Sequence, residues 1–159
     1  MRDLKTYISE LDKAIEKYIP SKNTPLYESL YKPKDLYRIP LEDAKDMQLK
    51  TIKHTFIHHY NNNQFYHNFC KEHSFSPDDI KTNEDLNKIP LIPDKFFKDY
   101  PDGKEFATWL ANIYTGDLPK IVIKQKKPTY DDVIDAFNRA GIIVTYSSGT
   151  GGRHTFVPR

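Results

Sequence analysis

Apolar residues recur every three or four positions through the first third of the chain, and this spacing predicts amphipathic helices. The first set is Leu4, Tyr7, Ile8, Leu11, Ile15 and Tyr18. A short second set, over residues 26–31, stops at Pro33. A third predicted helix runs from about Leu41 to Tyr60. It ends at the cluster Asn61–Asn63, because asparagine side chains compete for backbone hydrogen bonds.

Local start and stop signals predict further helices in the rest of the chain. Ser76–Asp79 combines a capping hydroxyl, a proline at the first helical position and acidic residues in the first turn. Residues 104–114 predict a helix that turns Phe106 and Leu110 inward and ends before Gly116. Thr129 is predicted to cap a last helix, which Gly141 ends.

Short apolar runs flank that last helix and favour strands. Ile121–Ile123 and Ile142–Val144 are predicted as buried strands, and Thr155–Val157 as a third. A strand, helix and strand of this length are typical of a crossover unit in a parallel sheet. The predicted fold class is therefore α/β. A helical N-terminal segment over residues 1–40 leads into a larger domain over residues 41–159, which contains the start of a parallel sheet with crossover helices.

Composition argues against several classes of partner. Twenty-four basic and twenty-two acidic residues leave a formal charge of +2 and are interspersed along the chain. A nucleic-acid or membrane-surface binder would show a concentrated basic face. No apolar run approaches the ~20 residues that cross a bilayer. The lone Cys70 cannot form an internal disulfide, which favours a reducing cytoplasm. We therefore expect a cytoplasmic protein with neither nucleic-acid nor membrane partners.

Two weaker clusters have ordinary explanations. His54 and His58 are spaced so that they could share a metal on one helix face. The zinc-protease pattern needs glutamate directly after the first histidine, and Thr55 occupies that position. A solvated helix face is the better interpretation. Cys70 lies in an aromatic helical stretch, where a buried thiol is expected. No metal site and no catalytic residue is predicted.

The strongest chemical signal is a glycine-rich segment directly after the predicted strand at residues 142–144. Glycines allow positive backbone dihedral angles, which turn successive N–H groups toward one point and create a phosphate-binding concavity. Serine and threonine hydroxyls and an arginine add donors that match phosphate oxygens. The predicted phosphate-binding residues are Ser147, Ser148, Gly149, Thr150, Gly151, Gly152 and Arg153.

Two common phosphate-loop patterns do not fit this segment. The Walker pattern requires a lysine, and the loop has none. The dinucleotide pattern requires a third glycine where His154 stands. A polar hairpin without a ligand therefore stays open as an alternative on composition alone.

The sequence Tyr-Ser-Ser-Gly-Thr-Gly-Gly-Arg at residues 146–153 resembles the phosphate-binding signature of the adenylate-forming superfamily. Residues 59–66 and 76–90 resemble segments of phenylacetate–coenzyme A ligases. Residues 89–98 look closer still to the acyl-protein synthetases that activate fatty acids for bioluminescence reductases. These segments stand in the expected order over residues 45–159, and this order is more specific than the loop alone.

This resemblance implies an ATP-dependent ligase. A carboxylic acid would attack the α-phosphate of ATP, giving an acyl-adenylate and pyrophosphate, and the acyl group would pass to coenzyme A or to a protein cysteine. ATP and Mg²⁺ would serve the complete enzyme. Arg153 stands where lysine is usual, and Gly151 replaces a serine or threonine. Because such enzymes continue far beyond this loop, the chain is expected to be an N-terminal part, with residues 41–159 forming the first part of the large domain, and to be inactive alone.

Two other functions stay open at this point. The aromatic residues Tyr27, Tyr31 and Tyr37 could dock a partner protein, which would make the chain a helical interaction module. The chain could also be a degenerate remnant without activity. Strands that lack neighbours would expose unpaired edges, so pairing of two copies through those edges is also predicted.

Overall fold

The computed structural model describes residues 3–16, 19–34, 36–149 and 152–159. It divides into two compact units. One comprises Met1–Phe56 with Ile80–Asn87, and the other comprises Ile57–Asp79 with Lys88–Arg159. No helix among the described residues is long and apolar enough to span a membrane.

The first unit is helical, as its apolar spacing predicts. Helix α1 spans Leu4–Glu16, helix α2 spans Pro25–Tyr31, and helix α3 begins at Leu41. Thr24 is the N-cap of helix α2, and its hydroxyl accepts the backbone N–H of Tyr27 at 3.2 Å. Single 3₁₀ turns cover Leu36–Arg38 and Glu84–Lys88.

Helix α3 runs through Asn62, and helix α4 covers Gln64–Glu72, so the asparagine cluster interrupts the helices as predicted. Asn63 is the N-cap of α4, and its side-chain oxygen accepts the Tyr66 N–H at 2.9 Å. Farther along, Ser76–Asp79 does not begin an α-helix. Asp79 accepts both the N–H and the hydroxyl of Ser76, and the closed turn gives only the 3₁₀ segment Pro77–Asp79.

The core of the second unit forms where two helices pack on a small hairpin. Helix α5 covers Gly103–Ile113, helix α6 covers Tyr130–Arg139, and the strands are β1, Val144–Tyr146, and β2, Phe156–Pro158. A 3₁₀ turn at Asp94–Phe97 precedes α5. The buried residues of this core are Tyr100, Phe106, Leu110, Val133, Ile134, Phe137, Ile142, Val144 and Phe156.

The predicted parallel sheet is not what the described residues form. Ile121–Ile123 lies outside any strand, and Val122 is 50% exposed. Strands β1 and β2 pair antiparallel, with Tyr146 opposite Phe156. The nine residues between them explain this, since a short connection permits a hairpin, whereas parallel strands need a crossover of about a dozen residues or more. The described structure is therefore mostly helical with one two-stranded antiparallel sheet, and pairing of two copies through its edges stays a prediction.

A capping box begins helix α6. The Thr129 hydroxyl accepts the Asp132 N–H at 3.2 Å, and the Asp132 carboxylate accepts the Thr129 N–H at 2.8 Å. These hydrogen bonds to the carboxylate hold the pKa of Asp132 below its usual value.

Thr129→Ala is expected to lower the free energy of unfolding by about 1 kcal/mol, because it leaves an N–H of the first turn without its acceptor. Denaturant titration measures this loss. Thr129→Ser keeps the hydroxyl and should retain most of the stability, so an equal loss in both variants would contradict the assignment.

Candidate functional site

The glycine-rich segment connects the two strands of the hairpin and is held to the core at both ends. Residues 147–155 lie between β1 and β2. Val144 in β1 and Phe156 in β2 are buried in the core. The Ser147 N–H donates to the Thr155 carbonyl at 3.0 Å, which extends the strand pairing one step into the loop. The loop is thus anchored at both ends by buried side chains and paired backbone.

Two of the predicted glycines adopt the backbone conformation for which glycine was expected. Gly149 has a φ of 72° and Gly152 a φ of 111°. These angles lie in the left-handed region that other residues rarely occupy. A Cβ atom on Gly149 would also come within 2.9 Å of the His154 ring. Glycine is therefore required at position 149 for two reasons, which are the positive φ angle and the close approach of the His154 ring.

Several donors of the loop are used within it. The Gly152 N–H donates to the Gly149 carbonyl at 2.9 Å, and the Thr155 N–H donates to the Ser147 hydroxyl oxygen at 2.9 Å. Together with the Ser147 N–H, these groups close the loop on itself. Thr150 and Gly151 lie outside the described residues. With the loop in this conformation, a ligand would meet its solvent-exposed groups, among them the side chains of Ser148 and Arg153.

His154, two residues before β2, braces the loop from its C-terminal end. Its Nδ1 lies 2.5 Å from the Ser147 carbonyl oxygen. Because a carbonyl oxygen only accepts, Nδ1 carries the proton. The ring also packs against Gly149 and lies 5.7 Å from the Tyr146 ring. The sequence motif contains no signal for this role, since His154 entered it only as a departure from the usual pattern.

Arg153 turns from the end of the loop toward the core. Its Nη2 donates to the Tyr100 carbonyl at 3.1 Å and to the Tyr130 hydroxyl at 3.2 Å. Its guanidinium lies over the Tyr100 ring, 4.1 Å from the ring centroid. The Tyr130 hydroxyl in turn donates to the Asp102 carboxylate. Burial, followed by this carboxylate, raises the pKa of Tyr130 above its usual value, so its hydroxyl keeps its proton.

A cavity with aromatic walls adjoins the loop. Its volume is about 360 Å³. Its lining residues are Thr129, Tyr130, Asp131, Ile134, Tyr146, His154 and Phe156. His154 of the loop and Tyr146, the last residue of β1, both line the cavity, so a ligand held by the loop would lie beside these rings.

The weaker candidates from the sequence do not form a second site among the described residues. Cys70 is fully buried, as predicted, and burial raises the pKa of its thiol, which disfavours the reactive thiolate. In the described part of the chain, no three histidine, cysteine, aspartate or glutamate side chains group closely enough to hold a metal ion. His59, the neighbour of the candidate His58, has its Nδ1 3.0 Å from the Thr115 hydroxyl.

Comparison with known protein families identifies the class. Residues 32–129 match the family model described as LuxE, acyl-protein synthetase. The match covers more than half of the chain, and the chain belongs to the LuxE acyl-protein synthetase family. It ends before the glycine-rich loop, so it carries no information on residues 147–153. A search of curated proteins and a search of solved structures each found no match.

Proposed function

We propose that this chain contributes the phosphate-binding loop of an ATP-dependent enzyme that activates a carboxylic acid and transfers the acyl group to a protein thiol or to coenzyme A. Membership of the acyl-protein synthetase family supports the acyl transfer. The observation that carries the ATP-dependent part is the loop itself. It is a glycine-rich connection that contains two left-handed glycines and Arg153, and it joins two paired strands whose residues Val144 and Phe156 are buried.

The proposed chemistry has two steps. A carboxylate oxygen of the acid attacks the α-phosphorus of ATP, the bond to the bridging oxygen breaks, and pyrophosphate leaves. A thiolate then attacks the acyl carbon, and AMP leaves with the carboxylate oxygen. Mg²⁺ would enter bound to the ATP phosphates.

The loop would act on the leaving pyrophosphate. Negative charge develops there as the phosphorus–oxygen bond breaks, and donors that already point at it lower the barrier. Arg153 suits this role because hydrogen bonds to Tyr100 and Tyr130 and the face of the Tyr100 ring hold its guanidinium in place. Gly149 and Gly152 shape the backbone around it. The role is electrostatic, so none of these residues is assigned a covalent step.

Calorimetric titration of the chain with pyrophosphate, and separately with Mg²⁺·ATP, tests the proposal. We expect saturable binding with a dissociation constant in the millimolar range or tighter, at about 0.1 M salt. Arg153→Ala should weaken pyrophosphate binding about tenfold or more, because it removes charge-assisted donors. Gly149→Val should weaken it as well, because its side chain would meet His154 and the positive φ would be strained.

Lys126→Ala is the matched control for charge, because Lys126 is exposed and outside the loop. It should bind pyrophosphate as the unchanged chain does. Circular dichroism and thermal melting show whether the glycine variant is still folded. Absence of saturable binding at millimolar pyrophosphate and ATP would contradict the proposal and favour the alternative function, a helical interaction module.

One feature supports that second candidate function. Tyr27 and Tyr31 stack with their ring centroids 4.7 Å apart, and Tyr31 remains 53% exposed. Tyr37, in the same unit, is fully exposed. Aromatic side chains presented in this way are typical of protein-docking surfaces.

A further inference from the structure

The hydroxyl of Tyr130 lies between a cation and an anion that are distant in sequence. It accepts a hydrogen bond from Arg153 Nη2 at 3.2 Å and donates its own proton to the Asp102 carboxylate. A hydroxyl has one proton, so donation to Asp102 turns its lone pairs toward other donors. The carboxylate thereby sets which side of the hydroxyl faces Arg153.

The Asp102 side chain does not make the hydrogen bond that its position in the chain predicts. It is the N-cap residue of α5, where an aspartate side chain ordinarily accepts an N–H from the first turn. Its side chain makes no such capping bond and receives the Tyr130 hydroxyl instead. The Asp102 carboxylate therefore binds the Tyr130 hydroxyl and does not cap α5.

The tyrosine ring is held by the core. The centroid of the Tyr130 ring lies 4.9 Å from that of Phe106 and 5.5 Å from that of Tyr100. Both contacts are edge-to-face, and Phe106 is fully buried. The hydroxyl is thus carried on a ring that core packing keeps in place, while Arg153 comes from the loop.

Among the described residues, the Arg153 guanidinium makes its hydrogen bonds through one nitrogen. Both run from Nη2, to the Tyr100 carbonyl and to Tyr130. A guanidinium has five N–H donors, so those on Nε and Nη1 are not engaged in these two bonds. Nη2 thus makes the hydrogen bonds to the core residues. The N–H groups on Nε and Nη1 can donate to an anion at the loop.

We infer that Tyr130, oriented by Asp102, is a positioning residue that holds the Arg153 guanidinium for phosphate binding by the loop. This inference rests on the function proposed above. It adds two residues that no loop motif includes. Preorganised donors bind an anion more tightly, since less conformational freedom is lost when the ligand arrives.

Pyrophosphate titration of matched variants tests the inference. Tyr130→Phe removes the hydroxyl and keeps the ring, so we expect pyrophosphate affinity to fall about five- to tenfold with the melting temperature nearly unchanged. Asp102→Asn retains an oxygen acceptor for the hydroxyl and should bind nearly as the unchanged chain does. Asp102→Ala removes the acceptor and should resemble Tyr130→Phe. Tyr114→Phe makes the same chemical change at the C-cap of α5, away from Arg153, and should leave pyrophosphate affinity unchanged.

A double-mutant cycle separates positioning from general structural damage. If Tyr130 acts through Arg153, then Tyr130→Phe should cause no further loss of pyrophosphate affinity in the Arg153→Ala background. An equal loss in both backgrounds would overturn the inference. So would unchanged affinity of Tyr130→Phe while Arg153→Ala binds weakly, and in that case the proposed function would stand. If the unchanged chain fails to bind pyrophosphate, both are overturned.

Discussion

Replacing Phe106 by alanine is expected to lower the free energy of unfolding of the second unit by about 3–5 kcal/mol, which is the usual cost of truncating a fully buried phenylalanine. Phe106 is 0% exposed, and its ring lies 5.0 Å from Phe156 of β2 and 4.9 Å from Tyr130 of α6. One side chain of α5 thus packs against both helix α6 and the hairpin. Its loss leaves a cavity that several elements would have to move to fill.

Urea titration followed by tryptophan fluorescence measures this effect. Trp109 is the single tryptophan of the chain and packs against the same core, so its emission reports on this unit. Leu91→Ala is the control, because Leu91 is 82% exposed and should change stability by less than about 0.5 kcal/mol. Similar losses in both variants would mean that Phe106 does not connect these elements.

The second large effect is expected at Asn63, the one buried polar side chain in the described part of the chain. Its amide nitrogen lies 3.2 Å from the Asn112 carbonyl, 3.3 Å from the Tyr114 carbonyl and 3.3 Å from the Thr115 hydroxyl. Its oxygen accepts the Tyr66 N–H. A single residue thus caps α4 and donates to backbone carbonyls in the last turn of α5 and at its C-cap.

Asn63→Asp should lower the free energy of unfolding by about 3 kcal/mol at pH 7, because it places a buried charge opposite carbonyl oxygens and removes their donor. The introduced carboxyl should have a pKa raised above the unfolded value of about 4, since burial and these oxygens disfavour its charged form. The loss is then complete above the folded pKa and is relieved progressively as the pH falls from the folded pKa toward the unfolded value.

Chemical denaturation at pH 7 and at pH 5 measures both the size and the sign of this effect. Asn61→Asp makes the same chemical change at an exposed site and should cost less than about 1 kcal/mol, mainly through the unfavourable end of the helix dipole. A variant at position 63 as stable as the control, or one that loses stability as the pH falls, would show that the Asn63 contacts contribute little.

Part of the backbone conformation of the loop was predictable from the sequence. The loop and its glycines were identified because left-handed backbone conformations leave a mark on residue type, and Gly149 and Gly152 adopt them. The bracing role of His154 and the anchoring of Arg153 were not predictable. Arg153 contacts Tyr100, 53 residues earlier, and nothing in either local sequence encodes that pairing.

The sequence by itself determined the helices whose ends depend on neighbouring residues. Each capping hydrogen bond, at Thr24, Asn63 and Thr129, joins residues that are three positions apart. The local sequence therefore includes both partners of each bond. Sheet pairing and buried polar contacts were decided only by the tertiary structure. Ile121–Ile123 has a strand-like composition and forms no strand, because a strand also requires a partner, and where partners meet is a property of the folded chain.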